Sequence, residues 1–501
     1  MIFKRTVAVV MAAGLLAAGG QAWSQAAPAP TPAVAAGPVV KVAQGPVRGA
    51  AADGVATFQG LPFAAPPVGE LRWRPPVAPA SWSAVRDATQ PGQNCTQSED
   101  CLFLNVTAPA GAKPGAKLPV MVWIHGGAFV IGNSTGAFGA EHDGSEFAKQ
   151  GVVTVTLNYR LGRAGWFAHP ALTREGPTGN YGLMDQVAAL KWVQANIAAF
   201  GGDPKNVTIF GESAGAISVL YLMLAPDARG LFHKAIGQSS FARHQPVALK
   251  AAEESGLKAA QAAGVQGHDA AAAAALRKLP LGALPYSGPF TSRAQPIADG
   301  RYIASGIAEG FAAGRQAKVP LMLGGNSNEA SLFRPQPAQL DLVPEAARPS
   351  LTAAFDPENT GDRNRIVHRL VTAQMITEPD RNLARLHSKA GAPVWLYHFS
   401  YLTPAERATS LGAAHTAEIK YVFGGPKQTF APEDVPLSRA MNAYWAAFAK
   451  RGDAASAGGP AWPRFAPPEE ASVEFGADGV RVRERHLAAQ LDWVEQSLAK
   501  R

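Results

Sequence analysis

Gly211-Glu212-Ser213-Ala214-Gly215 is a G-x-S-x-G pattern. It lies between a short β-branched run, Asn206-Val-Thr-Ile-Phe210, and residues 214–224, which read as a helix closed by Pro226. A sharp turn from strand to helix lifts a serine hydroxyl above a sheet edge, and the flanking glycines let the two elements approach closely. Such a serine is a candidate nucleophile for carbonyl carbon; the alternative is a glycine-rich structural turn. Attack requires a base to take the hydroxyl proton, an anion to hold that base in the right tautomer, and N–H donors for the oxyanion that forms.

The partners are sought in the same terms. His125-Gly-Gly-Ala-Phe129 follows an early strand candidate and matches a donor loop. Glycines there let peptide N–H groups face a ligand without interference from Cβ, and Ala214, next to the serine, supplies a further donor. With a serine on this kind of turn, the acid and then the base follow along the chain. Histidines after Ser213 are His233, His244, His268, His368, His387, His398 and His415. His398 sits inside a strand candidate and reads as structural. His415 lies in a loop beyond that strand, where a base belongs. Glu329, in Gly324-Gly-Asn-Ser-Asn-Glu329, follows the run 319–323 and so stands at the C-terminal end of a strand.

The elements that must position these groups are legible as an alternation. Residues 118–125, 152–157, 206–210, 234–239, 319–323 and 394–399 are apolar, strand-like runs. Leu183, Val187, Leu190, Val193 and Ile197 mark one helix face. Strands alternating with helices predict an α/β fold with a large, mostly parallel sheet covered on both faces. The Ala-rich stretch 247–284 and residues 335–390 read as helical and loop insertions, either capping the site or merely peripheral. Phe129, Phe138, Trp166, Phe167 and Phe241 are candidates for a pocket lining or for core packing.

Composition excludes several classes. The chain has 501 residues, 47% of them hydrophobic, too apolar for a disordered protein. Its 51 Gly and 40 Pro show no collagen-like period. The formal charge is +8, but the basic residues are scattered with no run of five or more, so no nucleic-acid stripe is visible. Two cysteines and the absence of HExxH or CxxC patterns argue against a disulfide scaffold and common zinc sites.

Lys4-Arg5, an apolar run over 7–18 and small residues at Ala22 and Ser24 form a secretory signal pattern with cleavage after Ser24. The apolar run is shorter than the roughly 20 residues a membrane span needs. Residues 25–38 read as an Ala/Pro-rich leader. The protein is therefore expected in the periplasm or the medium, without stable membrane insertion. An oxidising compartment favours pairing of Cys95 with Cys101, two free thiols being the alternative.

The chain resembles the type-B carboxylesterases, the cholinesterase-like branch of the α/β-hydrolase fold. The resemblance rests on Phe200-Gly-Gly-Asp-Pro-Lys-Asn-Val-Thr-Ile-Phe-Gly-Glu-Ser213-Ala-Gly and on Glu99-Asp-Cys-Leu-Phe-Leu-Asn-Val106, which resembles the family's segment around a disulfide cysteine. Phe58-Gln-Gly-Leu-Pro-Phe-Ala-Ala-Pro-Pro67, Asn158-Tyr-Arg-Leu-Gly162 and Gly179-Asn-Tyr-Gly-Leu-Met-Asp-Gln186 add to it. It implies one α/β-hydrolase domain over 39–501 and a serine ester hydrolase working through an acyl-enzyme. Ser213 would be nucleophile, Glu329 acid and His415 base, with oxyanion donors at Gly127, Ala128 and Ala214. No metal or organic cofactor is required, and the partner is a small ester. An interfacial lipase for long-chain esters is the alternative; a non-catalytic binding relative would lack the nucleophile or base, and all three positions are present.

Some positions depart from the resemblance. Ala128 stands where the family usually has a third glycine, and its methyl narrows the space for branched alcohol groups. The loop between Cys95 and Cys101 is short, which implies a more open site. Arg163 stands where relatives often carry a small or apolar residue, and reads either as a recogniser of a substrate carboxylate or as a solvated surface arginine. Glu212 reads as orienting water or His415, or as a buried structural carboxylate. A general base at His415 is expected to titrate near 6.5, give or take a unit.

Overall fold

The computed structural model describes residues 37–177, 179–286, 294–425, 427–454 and 457–499. The signal and leader expectations fall outside these residues, except for Gly37 and Pro38. The central sheet consists of β1 (Ala50–Ala52), β2 (Val55–Pro62), β3 (Phe103–Pro109), β4 (Leu118–Ile124), β5 (Val153–Leu157), β6 (Gly202–Glu212), β7 (Lys234–Gln238), β8 (Leu321–Asn326), β9 (Val394–Phe399), β10 (Ser472–Gly476) and β11 (Gly479–Arg483). Its order is β11-β10-β9-β8-β7-β6-β4-β5-β3-β2-β1. From β5 through β10 the pairing is parallel, and the edges are antiparallel.

β4 shows why this sheet is covered twice. Side chains alternate faces along a strand. Val120, Val122 and Ile124 enter one core with Leu190, Val193 and Leu220. Met121 and Trp123 enter the other with Phe210, Trp445 and Phe448. Both faces of the strand are therefore dry, the pattern of a parallel sheet between helical layers. The first layer holds α1 (Tyr181–Asn196) and α2 (Ala214–Leu224). Insertions supply α3 (Leu249–Ala262), α4 (Ala270–Lys278), α5 (Arg348–Phe355), α6 (Arg363–Thr372) and α7 (Glu378–Lys389). The second layer contains α8 (Val435–Arg451). Among the described residues no helix is long and apolar enough to cross a membrane.

Three elements differ from expectation. The strand expected over 206–210 runs on through Gly211 and Glu212, so only Ser213 makes the turn. The strand expected over 319–323 begins at Leu321, after Pro320, which has no N–H for the ladder, and extends to Asn326 in register with Phe399. α1 is buried on nearly every side, because it lies between the sheet and its neighbours rather than at the surface.

Candidate active site

Ser213 sits at φ 56°, ψ −121°, a conformation that costs about 1–3 kcal/mol for a residue with a side chain. The surroundings enforce it. The Ser213 N–H donates to the Gln238 carbonyl at the end of β7, 2.9 Å away. A Cβ on Gly215 would lie 2.0 Å from the Ile124 carbonyl oxygen, so only glycine lets α2 start this close to β4.

The acid and base loops are stitched together beside it. Asn328 donates from its backbone to the Ala413 carbonyl at 2.9 Å, Ser327 Oγ accepts from Ala413 N at 2.8 Å, and Ser331 Oγ accepts from His415 N at 2.9 Å. These bonds place His415 Nε2 3.0 Å from Ser213 Oγ and His415 Nδ1 2.5 Å from Glu329 Oε2. The remaining Glu329 oxygen accepts from Ser239 Oγ at 2.5 Å and from Asn326 N at 2.6 Å. The three side chains singled out from the sequence thus form one hydrogen-bonded chain.

The other histidines lie elsewhere in function. His233 Nδ1 accepts from Val207 N, and His387 contacts the Val319 carbonyl. His368 contacts Asn328. His398 is buried in β9 against His486. His244 borders the serine cavity but is engaged by the Tyr221 hydroxyl at 2.9 Å.

The donor loop is held from behind. His125 stacks on Tyr159 with ring centroids 4.4 Å apart, and the Tyr159 hydroxyl donates to the His125 carbonyl at 2.8 Å. Burial lowers the His125 pKa to about 4, so this ring is neutral. Gly127 has φ 106°, and a Cβ there would lie 2.2 Å from the Ile131 carbonyl oxygen. Among the described residues no backbone or side-chain acceptor takes the N–H of Gly127, Ala128 or Ala214, which leaves all three available to a ligand.

Three further carboxylate contacts set the electrostatics. Glu212, fully buried, places Oε1 3.1 Å from His415 Nε2. Glu418 accepts from Gln238 Nε2 at 2.9 Å and from Asn326 Nδ2 at 2.6 Å. Burial opposes a charge on His415, but Glu212 and then Glu329 outweigh it and push its pKa up to about 9. Burial also pushes Glu212 well above the ordinary carboxylate range. The pair therefore retains a proton to higher pH than a free imidazole, which moves the titration above the 6.5 expected from sequence. Ser239, Asn326 and Gln238 escaped the sequence reading. The strand expected over 234–239 ends at Gln238, which frees Ser239 to turn toward Glu329, and nothing in the linear sequence signals that.

A cavity of about 220 Å³ opens onto Ser213. Phe129 and Phe241 line it with Ile217, Phe333 and Met375. Trp166 instead packs on Phe129, Phe167 packs on Trp73, and Phe138 is exposed. Cys95 and Cys101 form a disulfide. Arg163 is 8% exposed, so it is not a solvated surface arginine.

Comparison with known proteins places the chain in a family. The family model described as the carboxylesterase family matches residues 36–494. The fumonisin B1 esterase of Sphingopyxis macrogoltabida is 36% identical over 465 residues, covering 84% of this chain and 83% of that protein. The cocaine esterase of Homo sapiens is 36% identical over 476 residues, with 84% and 83% covered. A solved PNB esterase superposes with a TM-score of 0.77 at 32% identity, covering 91% of this chain and 99% of that one.

Proposed function

Because the chain belongs to the carboxylesterase family and is a carboxylic ester hydrolase of the α/β-hydrolase fold, we propose that its catalysis runs through Ser213, His415 and Glu329. The observation that carries this reading is the unbroken chain from Ser213 Oγ through both His415 nitrogens to Glu329, with spacings of 3.0 and 2.5 Å.

Each step follows from that geometry. His415 Nε2 takes the hydroxyl proton as Ser213 Oγ bonds to the ester carbonyl carbon. The imidazolium is stabilised on its Nδ1 side by Glu329. The carbonyl electron pair moves onto oxygen, where the N–H groups of Gly127, Ala128 and Ala214 receive it; one such donor is worth roughly 3–4 kcal/mol of barrier in other enzymes. The oxyanion collapses, the C–O bond to the alcohol breaks, and His415 returns its proton to the leaving oxygen. Water repeats the sequence on the acyl-enzyme and releases the acid and Ser213.

An organophosphate probe tests the assignment. The mass of one phosphoryl group should appear on the peptide containing Ser213, with loss of 4-nitrophenyl butyrate hydrolysis in proportion. Full labelling on another residue would remove Ser213 from the role.

A second reading concerns chain length. Leu332, Phe333 and Met375 are large apolar side chains at the cavity that remain exposed. Such a rim supports apolar acyl chains and interfacial lipolysis. Rates on a butyrate-to-palmitate ester series, below and above the solubility limit, separate an esterase from a lipase.

We further propose that residues 1–24 are a secretory signal and that the mature protein lies in the periplasm or the medium. The Cys95–Cys101 disulfide supports an oxidising compartment. N-terminal sequencing of exported protein should begin at Gln25.

A further inference from the structure

Four arginines are buried, and three of them meet a carboxylate: Arg160 with Asp185, Arg277 with Glu175, and Arg381 with Asp492. The fourth, Arg163, has no carboxylate within 4.0 Å among the described residues. Its guanidinium cannot shed the charge, since arginine stays protonated in proteins. A buried cation without a counter-charge is costly, so its surroundings need an account.

The residue is held in place. Its N–H donates to the Tyr286 hydroxyl at 3.0 Å, and its carbonyl accepts from Trp73 Nε1 at 2.7 Å. The guanidinium lies over the Phe167 and Tyr286 rings, 5.5 and 5.2 Å from their centroids. Nη2 donates to the Pro285 carbonyl at 2.5 Å, while the buried Nε has no acceptor. Among the described residues one neutral acceptor therefore serves a fork that carries five N–H groups.

Arg163 lines a cavity of about 770 Å³, within the size range of small-molecule sites. Thr96, Gln97 and Ser98 border it. The Glu99 carboxylate also borders it, but Arg72 holds both its oxygens at 2.6 and 2.5 Å. Val130 and Ile131 form another part of the wall and continue the donor loop directly. Gly162, adjacent to Arg163, donates to the Phe129 carbonyl at 2.7 Å, and Phe129 lines the Ser213 cavity. A backbone hydrogen bond thus ties the lining of one cavity to the lining of the other.

We propose that this cavity binds the carboxylate of an anionic ester, with Arg163 as the cation that recognises it. The inference rests on the esterase reading and narrows its substrate class. Nε is enclosed, so a carboxylate would meet the guanidinium at its outer nitrogens, where the charge and planar shape match it. The formal charge, +8 for the full chain and +6 without Lys4 and Arg5 of the proposed signal, favours approach of an anion.

The test compares anionic and neutral esters on the mature full chain. Mono-4-nitrophenyl glutarate against 4-nitrophenyl butyrate places the carboxylate on the acyl side. 4-Acetoxybenzoate against phenyl acetate places it on the alcohol side. The measured quantity is the anionic-to-neutral ratio of kcat/KM, which is insensitive to the fraction of folded enzyme. In Arg163→Gln the ratio should fall at least fivefold for one pair, and that pair identifies the side. Arg163→Lys, which keeps the charge, should lose less. A smaller change in both pairs for Arg163→Gln would mean that Arg163 only clamps the loops, and the proposal falls. Hydrolysis of an anionic ester with neither neutral one, abolished in Arg163→Gln, would also support the proposal; if the wild type hydrolyses none of the four esters, the esterase reading itself fails. Calorimetric titration of glutarate then decides the binding site alone: saturable binding lost in Arg163→Gln supports it, and absent or equal binding overturns it.

Discussion

Glu212 Oε1 and Ser213 Oγ converge on the same atom, with His415 Nε2 lying 3.1 Å from the former and 3.0 Å from the latter. A residue adjacent to the proposed nucleophile thus bears on the proposed base. On the proposed mechanism a carboxylate there stabilises the imidazolium formed during attack, and in the resting enzyme the Glu212–His415 pair shares a proton that a free imidazole would release at lower pH.

The pH profile follows. Only neutral His415 can accept the Ser213 proton, so kcat/KM should fall as pH drops through an apparent pKa above 6.5, toward the value of about 9 that Glu212 and Glu329 impose against burial. Replacing Glu212 by Gln removes the largest raising influence and leaves the burial that lowers the pKa. The acid limb should then move to lower pH. Profiles from pH 5 to 10 for both proteins provide the check, and coincident limbs would rule out the coupling.

Glu329→Gln keeps the size of the acid and loses its charge. The imidazolium loses its Nδ1-side anion, and the amide can impose the wrong tautomer on His415. By analogy with other serine hydrolase triads, kcat should drop ~10⁴-fold, measured on 4-nitrophenyl butyrate, with KM changing far less.

Ser239→Ala removes one of two donors to Glu329 Oε1. A hydrogen bond to a charged group is worth about 1.5–3 kcal/mol. The variant should unfold at lower denaturant by that amount, and its loss of activity should appear in kcat.

Asp185→Asn tests the frame beneath the site. Asp185 accepts from Arg160 Nε at 2.8 Å and Nη2 at 2.7 Å, with both side chains almost fully buried. Breaking a buried pair from one side strands the other charge and costs about 3–5 kcal/mol. Denaturant unfolding should show that loss.

Ala128→Gly bears on the alcohol group. Ala128 holds φ 52° and lines the Ser213 cavity. Glycine accepts that conformation freely and removes the methyl. The ratio of tert-butyl to n-butyl acetate hydrolysis should rise; an unchanged ratio would show that the methyl does not face the alcohol.

What could be read before folding is what short-range sterics encode. The turn at Ser213 needs small residues within two positions, and the donor loop needs adjacent glycines, so both are visible as motifs. The alternation of apolar strands and helices is likewise local, and it announced a doubly covered parallel sheet. Chain order and strand ends, which are linear properties, mark Glu329 and His415 as candidates, and the family resemblance implies their roles as acid and base.

Other relationships had no linear trace. Ser239 donates to a carboxylate 90 residues away, and Gln238 to one 180 residues away. Such contacts depend on which strands become neighbours and on how loops settle at their ends. Whether a charge is buried or paired is set by the same packing, so Arg160 and Arg163, three residues apart, end with opposite fates: one is neutralised by Asp185, and the other is left facing a cavity. The chain's side-chain chemistry is written residue by residue, but the distance between two groups and the water between them exist only after the core has closed.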